Sequence, residues 1–219
     1  MLEEFEHYQQ SPEMLERLRG VPLIAVVGPS RAGKTTLMEY AREQDQGLHF
    51  VVSDTSRPPR ENEVQGVHYH FKDLASMQEH ARAGGYATVA PSVTGDLYAT
   101  SPEEYDQYGR PIMAVLSSAI PAFRRVFPAM CTIFVLPPSL AVLAERGEDR
   151  DKQAARYVEA RDSVAFAVKD PYAKFVVNDD LEQAKADFRQ LIHGELSPRM
   201  EVRQRQAKRL AQQLLDQMV

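Results

Sequence analysis

The 219-residue sequence has one cysteine, no tryptophan and an excess of five negative charges. The single Cys131 excludes an intrachain disulfide, and its apolar surroundings favour a buried strand residue over a nucleophile. No apolar run approaches the roughly 18 residues of a membrane helix, and no charged-then-apolar leader begins the chain. A cytoplasmic protein is therefore expected. Its net charge also disfavours a general nucleic-acid-binding surface, with local basic clusters left open, and neither nucleic acid nor a membrane is expected as a partner.

The chain is long enough for one α/β domain with a smaller insert, and 43% of its residues are hydrophobic. Apolar runs alternate with helix-like segments, which predicts a parallel sheet with flanking crossover helices. Strands are expected at 21–27, 49–52, 111–116, 131–136 and 174–177, and helices at 35–43, 118–125, 139–144, 151–167 and 181–192.

Residues 53–109 have a different texture, because they are polar and rich in turn residues. This segment predicts a small inserted α+β subdomain that binds an acceptor, with strands near 68–71 and 86–90 and a helix at 73–83.

Both ends are expected to be additions. Residues 1–20 hold a helix at 11–19, which begins with Ser-Pro-Glu. Residues 195–219 form a basic, amphipathic helix that packs on the domain, contacts a second copy or binds an anionic surface.

Residues 28–35 read Gly-Pro-Ser-Arg-Ala-Gly-Lys-Thr, a phosphate-binding loop between a predicted strand and a predicted helix. Gly28 and Gly33 let the backbone N–H groups close on the phosphates. Lys34 would reach the β- and γ-phosphates, and the Thr35 hydroxyl would hold Mg²⁺. Arg31 would point to a phosphate or to solvent, and solvent is favoured because the loop backbone already supplies donors.

A second motif begins at Ser53 and indicates the type of reaction. Arg57 and Arg60 flank two prolines, which stiffen a fork suited to a second phosphate group. Glu63 would orient this fork, and Tyr69 would donate a hydrogen bond to the same phosphate. Sites for a donor triphosphate and an acceptor phosphate together predict phosphoryl transfer between nucleotides.

With these motifs the sequence resembles the guanylate kinase family. The segment from Ser53 to Phe71 follows the family pattern S-x-T-T-R-x-P-R-x-G-E-x-x-G-x-x-Y-x-F, with Ser56 and Asn62 as exceptions. Three further stretches are similar to family motifs. They are 95–100 (GDLYAT), 134–139 (FVLPPS) and 176–181 (VVNDDL). The resemblance covers about residues 21–194, with a core at 21–52 and 110–194, the insert at 53–109 and a lid at about 145–156.

The resemblance implies an ATP- and Mg²⁺-dependent kinase that phosphorylates a nucleoside monophosphate, with GMP or dGMP as the acceptor. Lys34, Arg146 and Arg156 would be catalytic, although each lid arginine would otherwise lie on a solvated helix face. ATP would be bound by Gly28, Pro29, Ser30, Arg31, Ala32, Gly33, Lys34, Thr35, Thr36 and Asn178, with Thr35 on the metal. The acceptor would be bound by Ser53, Arg57, Arg60, Glu63, Tyr69, Tyr98 and Thr100.

The sequence also departs from the family pattern. Acids that read guanine in the family are expected at positions occupied here by Val89 and by Val115 or Ser117, and the lid is short. Three alternative functions are therefore considered. They are a guanylate kinase, a kinase of the same fold for another nucleotide or a sugar phosphate, and a binding module with little turnover. An intact Gly33-Lys34-Thr35 disfavours the third.

Overall fold

The computed structural model describes residues 2–92, 95–107, 109–146 and 153–218, with side chains omitted at 153–156. The chain divides into two compact units. The first unit contains Met1–Leu23, His49–Met113 and Pro121–Met130. The second contains Ile24–Leu48, Ala114–Ile120 and Cys131–Val219.

Strands and helices alternate along much of the described chain. The helices are α1 (Pro12–Leu18), α2 (Lys34–Gln44), α3 (Leu74–Arg82), α4 (Ile120–Val126), α5 (Leu140–Glu145), α6 (Gln153–Lys169), α7 (Leu181–Ile192) and α8 (Pro198–Asp216). The strands are β1 (Ile24–Val27), β2 (Leu48–Phe50), β3 (Ser53–Thr55), β4 (Tyr69–Phe71), β5 (Thr88–Pro91), β6 (Leu97–Thr100), β7 (Arg110–Ala114), β8 (Cys131–Leu136) and β9 (Lys174–Val177). Short 3₁₀ helices cover Leu2–Phe5, Pro102–Tyr105 and Ser117–Ala119.

The second unit is built on the parallel strands β1, β8 and β9, which lie side by side in that order. All four residues of β1 are buried, as expected of a parallel strand covered on both faces. The ring centroid of Phe134 in β8 lies 6.1 Å from that of Phe166 in α6 and 6.0 Å from that of Phe175 in β9. The predicted parallel sheet with flanking helices is confirmed, and β8, β9 and α7 have the predicted bounds.

Helix α8 packs within the second unit along α6 and β9. Its cap is the Ser197 hydroxyl, which accepts a hydrogen bond from the Met200 N–H at 3.2 Å. The Gln204 side-chain amide bonds both the N–H and the C=O of Phe175, each at 2.7 Å. Of the three alternatives for this helix, the packed one is therefore observed. The buried residues of α8 are Met200, Ala207, Ala211 and Leu214.

The first unit contains a second sheet with strand order β4-β3-β6-β5. β3 and β4 are parallel, while β6 runs antiparallel to both β3 and β5. Asp73 caps α3 by accepting from the Ser76 N–H at 2.8 Å, at the predicted start signal. The insert therefore has the predicted α+β character, with β3 and β6 as additional strands.

The N-terminal helix α1 begins as the Ser-Pro-Glu signal predicts, with the Ser11 hydroxyl accepting from the Met14 N–H. Cys131 corrects one expectation, because it is half-buried at the start of β8 and not fully enclosed. Within the residues that the structure describes, no helix is both long and apolar enough to cross a bilayer.

Candidate active site

The loop between β1 and α2 has the backbone of a phosphate-binding turn. Its φ angles are +143° at Gly28, +65° at Arg31 and +97° at Gly33, so the backbone turns through the left-handed region more than once. A Cβ added at Gly28 would lie 2.2 Å from the carbonyl oxygen of Val135 in β8. The loop therefore begins in direct backbone contact with β8, where only glycine fits.

Lys34 folds back over this loop. Its ammonium donates to the carbonyl oxygens of Gly28 at 2.7 Å and Pro29 at 2.8 Å. Burial lowers the pKa of Lys34 to about 8, while the charge of Glu159 acts in the opposite direction. Because burial disfavours the charged form of Lys34, a phosphate bound in the loop would stabilise its ammonium group.

The first turn of α2 lacks a side-chain cap, since Gly33 occupies the N-cap position. Uncapped N–H groups and the positive end of the helix dipole favour a bound phosphate. Thr35 and Thr36 are exposed in this turn, and Ser30 is half-buried just before it. This is where an ATP phosphate and its Mg²⁺ would be held, with the Thr35 hydroxyl as the metal ligand.

Asn178 braces the loop from the end of β9. It is 7% exposed, its side-chain amide donates to the Ala32 carbonyl at 2.8 Å, and its backbone N–H donates to Leu136 at 2.8 Å. A Cβ added at Gly33 would lie 2.1 Å from the Asn178 amide nitrogen. The expected adenine contact stays a prediction. The observed contact is with the loop itself, which sequence patterns do not reveal.

Arg31 and Arg146 are linked to this brace. The Arg31 guanidinium donates to the Arg146 carbonyl, and the Arg146 guanidinium donates to the Asn178 carbonyl at 3.2 Å. Arg31 is exposed, yet it is held by the chain and not only by solvent, which refines the favoured expectation. Of the predicted lid, residues 147–152 and the Arg156 side chain lie outside the described part.

Arg57 lies in the first unit inside a cage of acid and aromatic groups. Its two terminal nitrogens each donate to one Glu63 oxygen at 2.6 Å, and its Nε donates to the Tyr98 hydroxyl at 3.1 Å. The guanidinium carbon lies 4.8 Å from the ring centroid of Tyr69 and 5.7 Å from that of Phe71. Sequence reasoning missed Phe71 as part of the cage, although it stands at the final position of the quoted motif.

Glu63 pairs with the Arg57 side chain, as predicted, and with the backbone of Arg60. Besides its bonds to Arg57, it accepts from the Arg60 backbone N–H at 2.8 Å. The Arg57 hydrogen bonds lower the pKa of Glu63 to about 2, and the same pair raises the pKa of Arg57. Burial raises the pKa of Tyr69. Arg60 is exposed, and Ser53 is half-buried at the start of β3.

Thr100 is buried within the first unit, where it pairs with Thr88 across β5 and β6. It is 1% exposed, and its hydroxyl lies 2.6 Å from the Thr88 hydroxyl and 2.9 Å from that of Tyr105. The predicted contact between Thr100 and the acceptor stays a prediction.

The strand register shows on which face of the sheet Val89 lies, at the position where a guanine-reading acid was expected. Val89 pairs with Ala99, whereas Ala90 pairs with Tyr98. Since alternate residues of a strand point to opposite faces, Val89 lies on the face opposite Tyr98. It is 8% exposed in an apolar cluster. Its neighbour Thr88 therefore shares the Tyr98 face. Ser117 is half-buried at the start of a 3₁₀ helix in the second unit.

A family model described as guanylate kinase matches residues 21–195. The chain belongs to the guanylate kinase family. A guanylate kinase from Chromobacterium violaceum is 32% identical over 177 residues, which cover 78% of this chain and 84% of that protein. One from Gloeobacter violaceus is 34% identical over 181 residues, covering 80% and 88% respectively.

The solved structures agree on the fold. A crystal structure of guanylate kinase from Anaplasma phagocytophilum superposes with a TM-score of 0.62 at 21% sequence identity. The match covers 83% of this chain and 89% of that one. The guanylate kinase family and fold expected from the motifs are thereby confirmed. Residues 2–20 and α8 lie outside the family match.

Proposed function

We propose that the chain is an ATP- and Mg²⁺-dependent guanylate kinase that transfers the γ-phosphoryl group of ATP to GMP or dGMP. Membership of the family supports this reaction, since the matched relatives are named guanylate kinases. The carrying observation is the glycine-built loop with Lys34 folded over it, which a simple binding scaffold would not need.

The proposed donor half-site consists of the loop 28–36 with Arg146 and Asn178. Lys34 would exchange its two carbonyl contacts for the β- and γ-phosphate oxygens, a stronger charge-assisted pair. Mg²⁺, held by Thr35 and ATP, would neutralise charge on those oxygens. Asn178 would keep the loop carbonyls and N–H groups in place during this exchange, and Arg146 and Arg156 would act from the lid.

The proposed acceptor half-site consists of Ser53, Arg57, Arg60, Glu63, Tyr69 and Tyr98. Glu63 occupies one edge of the Arg57 guanidinium, so Arg57 would offer its remaining N–H to the acceptor phosphate. Arg60 is exposed and would supply the second prong. A preset Arg57 with an exposed Arg60 would recognise phosphate with little rearrangement of the buried cage.

An ADP-release assay tests the proposal directly. Purified chain with ATP and Mg²⁺ is offered GMP, dGMP, AMP, CMP, UMP and ribose phosphates in parallel, with Lys34→Ala as the control. We expect turnover with GMP and dGMP, and none in the variant. Preference for another acceptor would overturn the assignment of guanine nucleotides as acceptors. No turnover with any acceptor would overturn the proposed kinase activity.

The proposal extends to organisation and location. We propose the division into a core at 21–52 and 110–194, an insert at 53–109, a lid at about 145–156 and terminal additions. The reaction and a composition with one cysteine support a cytoplasmic location. Since the apolar face of α8 packs within its own unit, the proposed homodimer contact through this helix would use its exposed face.

A further inference from the structure

Residues 2–10 lie outside the family match yet pack against the sheet that carries the proposed acceptor residues. The 3₁₀ turn Leu2–Phe5 delivers Phe5, which is 3% exposed, into the apolar cluster of the first unit. A buried phenyl ring there contributes substantially to holding its neighbours in place. The buried members of that cluster besides Phe5 are Met77, Ala81, Tyr86, Val89, Leu97 and Ala99.

The same segment covers the backbone at the start of β5, the edge strand of the sheet. The Tyr8 hydroxyl donates to the Tyr86 carbonyl at 2.9 Å and accepts from the Tyr86 N–H at 3.3 Å. The Gln10 side-chain amide donates to the Ala87 carbonyl at 2.9 Å. These bonds satisfy groups that an uncovered strand edge would leave to solvent or to another chain.

A third anchor joins the segment to α3. Glu4 pairs with Arg82 at 2.6 Å, and the Arg82 guanidinium carbon lies 5.7 Å from the centroid of the Phe5 ring. Both charged side chains are substantially exposed, so this pair contributes less than the buried ring. The segment therefore touches the strand edge, the helix and the core between them.

Two paths lead from this segment to Arg57. Leu97 and Ala99, both in the Phe5 cluster, flank Tyr98, whose hydroxyl accepts from Arg57 at 3.1 Å. The Tyr86 hydroxyl donates at 2.7 Å to Asp54, which lies three residues before Arg57.

We infer that residues 2–10 are a positioning element of the acceptor half-site, which sets β6 and β3 so that Tyr98 and Arg57 meet. The inference rests on the proposed function for its kinetic readout. It assigns a role in acceptor binding to a segment that the family pattern leaves without one.

The test compares the full chain with Tyr8→Phe, Phe5→Leu and a chain lacking residues 2–10, with Glu6→Ala as the matched control. Glu6 is exposed in the same segment. Initial rates are measured against GMP and against ATP separately. Tyr8→Phe removes only the hydroxyl, and we expect the KM for GMP to rise about fivefold, the scale of one hydrogen bond. The KM for ATP should stay within about twofold, as should both constants in Glu6→Ala.

The outcomes separate the two claims. Turnover by the unaltered chain tests the proposed function, whereas the inference depends on the split between the two KM values. Where the unaltered chain is inactive, hydrogen exchange decides the positioning claim, and it requires faster exchange at residues 97–99 in Tyr8→Phe and Phe5→Leu. Unchanged KM for GMP in both point variants, or equal rises for GMP and ATP, would overturn it. If the truncated chain does not fold, the point variants give the result.

Discussion

The side-chain amide of Asn178 donates a hydrogen bond to the carbonyl oxygen of Ala32, at 2.8 Å. The bond joins the end of β9 to the middle of the phosphate-binding loop, which are far apart in sequence. The same nitrogen limits the space at Gly33. Asn178 is therefore assigned to positioning the loop that would hold ATP.

Asn178→Ala should loosen this loop. Because a buried carbonyl loses its partner, the free energy of unfolding should fall by about 1–3 kcal/mol. The KM for ATP should rise about tenfold while the KM for GMP stays unchanged. Urea denaturation and steady-state rates measure the two effects. Asp179→Ala, at the exposed neighbouring position, serves as control, and equal effects in both variants would contradict the assignment.

Gly33→Ala should disrupt ATP binding through a steric clash as well as backbone strain. The new Cβ would lie 2.1 Å from the Asn178 amide, at a backbone φ of +97°. Gly194→Ala is the matched control, since Gly194 has a φ of +73° with no atom within 4 Å of an added Cβ. Both variants carry strain of roughly 1 kcal/mol, yet only Gly33→Ala should lose ATP binding by calorimetry. Comparable ATP affinity in the two variants would refute the clash.

ATP binding should take up a proton in mildly alkaline solution. With a pKa of about 8, Lys34 is mostly neutral at pH 9 in the free chain. Phosphate oxygens favour the ammonium, so binding at that pH should add about one proton, and binding near pH 6.5 almost none. Titration calorimetry in two buffers of different ionisation enthalpy measures the uptake. Lys34→Met should abolish it, and an uptake that persists in this variant would assign the proton elsewhere.

Acid should break the pair between Glu63 and Arg57. Glu63 has a folded pKa of about 2, below its ordinary value of 4.5, so its stabilising effect is complete above the ordinary value. That effect should fade as the pH falls from about 4.5 through 2. Glu63→Gln should lower the free energy of unfolding by about 2 kcal/mol at pH 7, with a difference that shrinks in acid.

Denaturant unfolding across this pH range, followed by circular dichroism, measures the Glu63 effect. Glu61→Gln changes an exposed acid two residues away and should show no such trend. If the difference in the free energy of unfolding between Glu63→Gln and the unaltered chain stays constant down to pH 2, titration of Glu63 is ruled out as its cause.

Arg57→Ala and Arg60→Ala should both weaken acceptor binding, with different effects on stability. Each should raise the KM for GMP about tenfold or more and leave the KM for ATP within about twofold, because each would remove a proposed charged contact to the acceptor phosphate. Only Arg57→Ala should also destabilise the chain, since it strips the partner from Glu63. Loss of ATP affinity equal to the loss of GMP affinity would contradict the assignment.

The sequence predicted the second unit well because apolar periodicity follows burial there. Strands β8 and β9 are short continuous apolar runs, and α7 begins after an Asp180 cap that the pattern signals. The first unit was harder to predict. β3 reads Ser-Asp-Thr, and its pairing comes from neighbours distant in the chain rather than from strand propensity.

In the candidate site, too, the local features could be predicted from the sequence and those that depend on tertiary contacts could not. The loop and the pairing of Glu63 with Arg57 are local, and both were predicted from motif spacing. The hydrogen bond from Asn178 to the loop and the burial of the Thr100 hydroxyl depend on tertiary contacts. The face occupied by Val89 depends on strand register, which a count of residues back from Tyr98 does not supply.

Gln204 acts on β9 in the way that the peptide group of a further strand would. Its amide oxygen accepts from the Phe175 N–H and its nitrogen donates to the Phe175 carbonyl. A side chain therefore satisfies backbone groups of β9, the edge strand of the sheet in this unit. A gene fragment ended at residue 195, where the family match stops, would lose this closure and the apolar cover of α8. The exposed border would then be open to strand pairing between molecules, and such a fragment should self-associate even with every nucleotide contact intact.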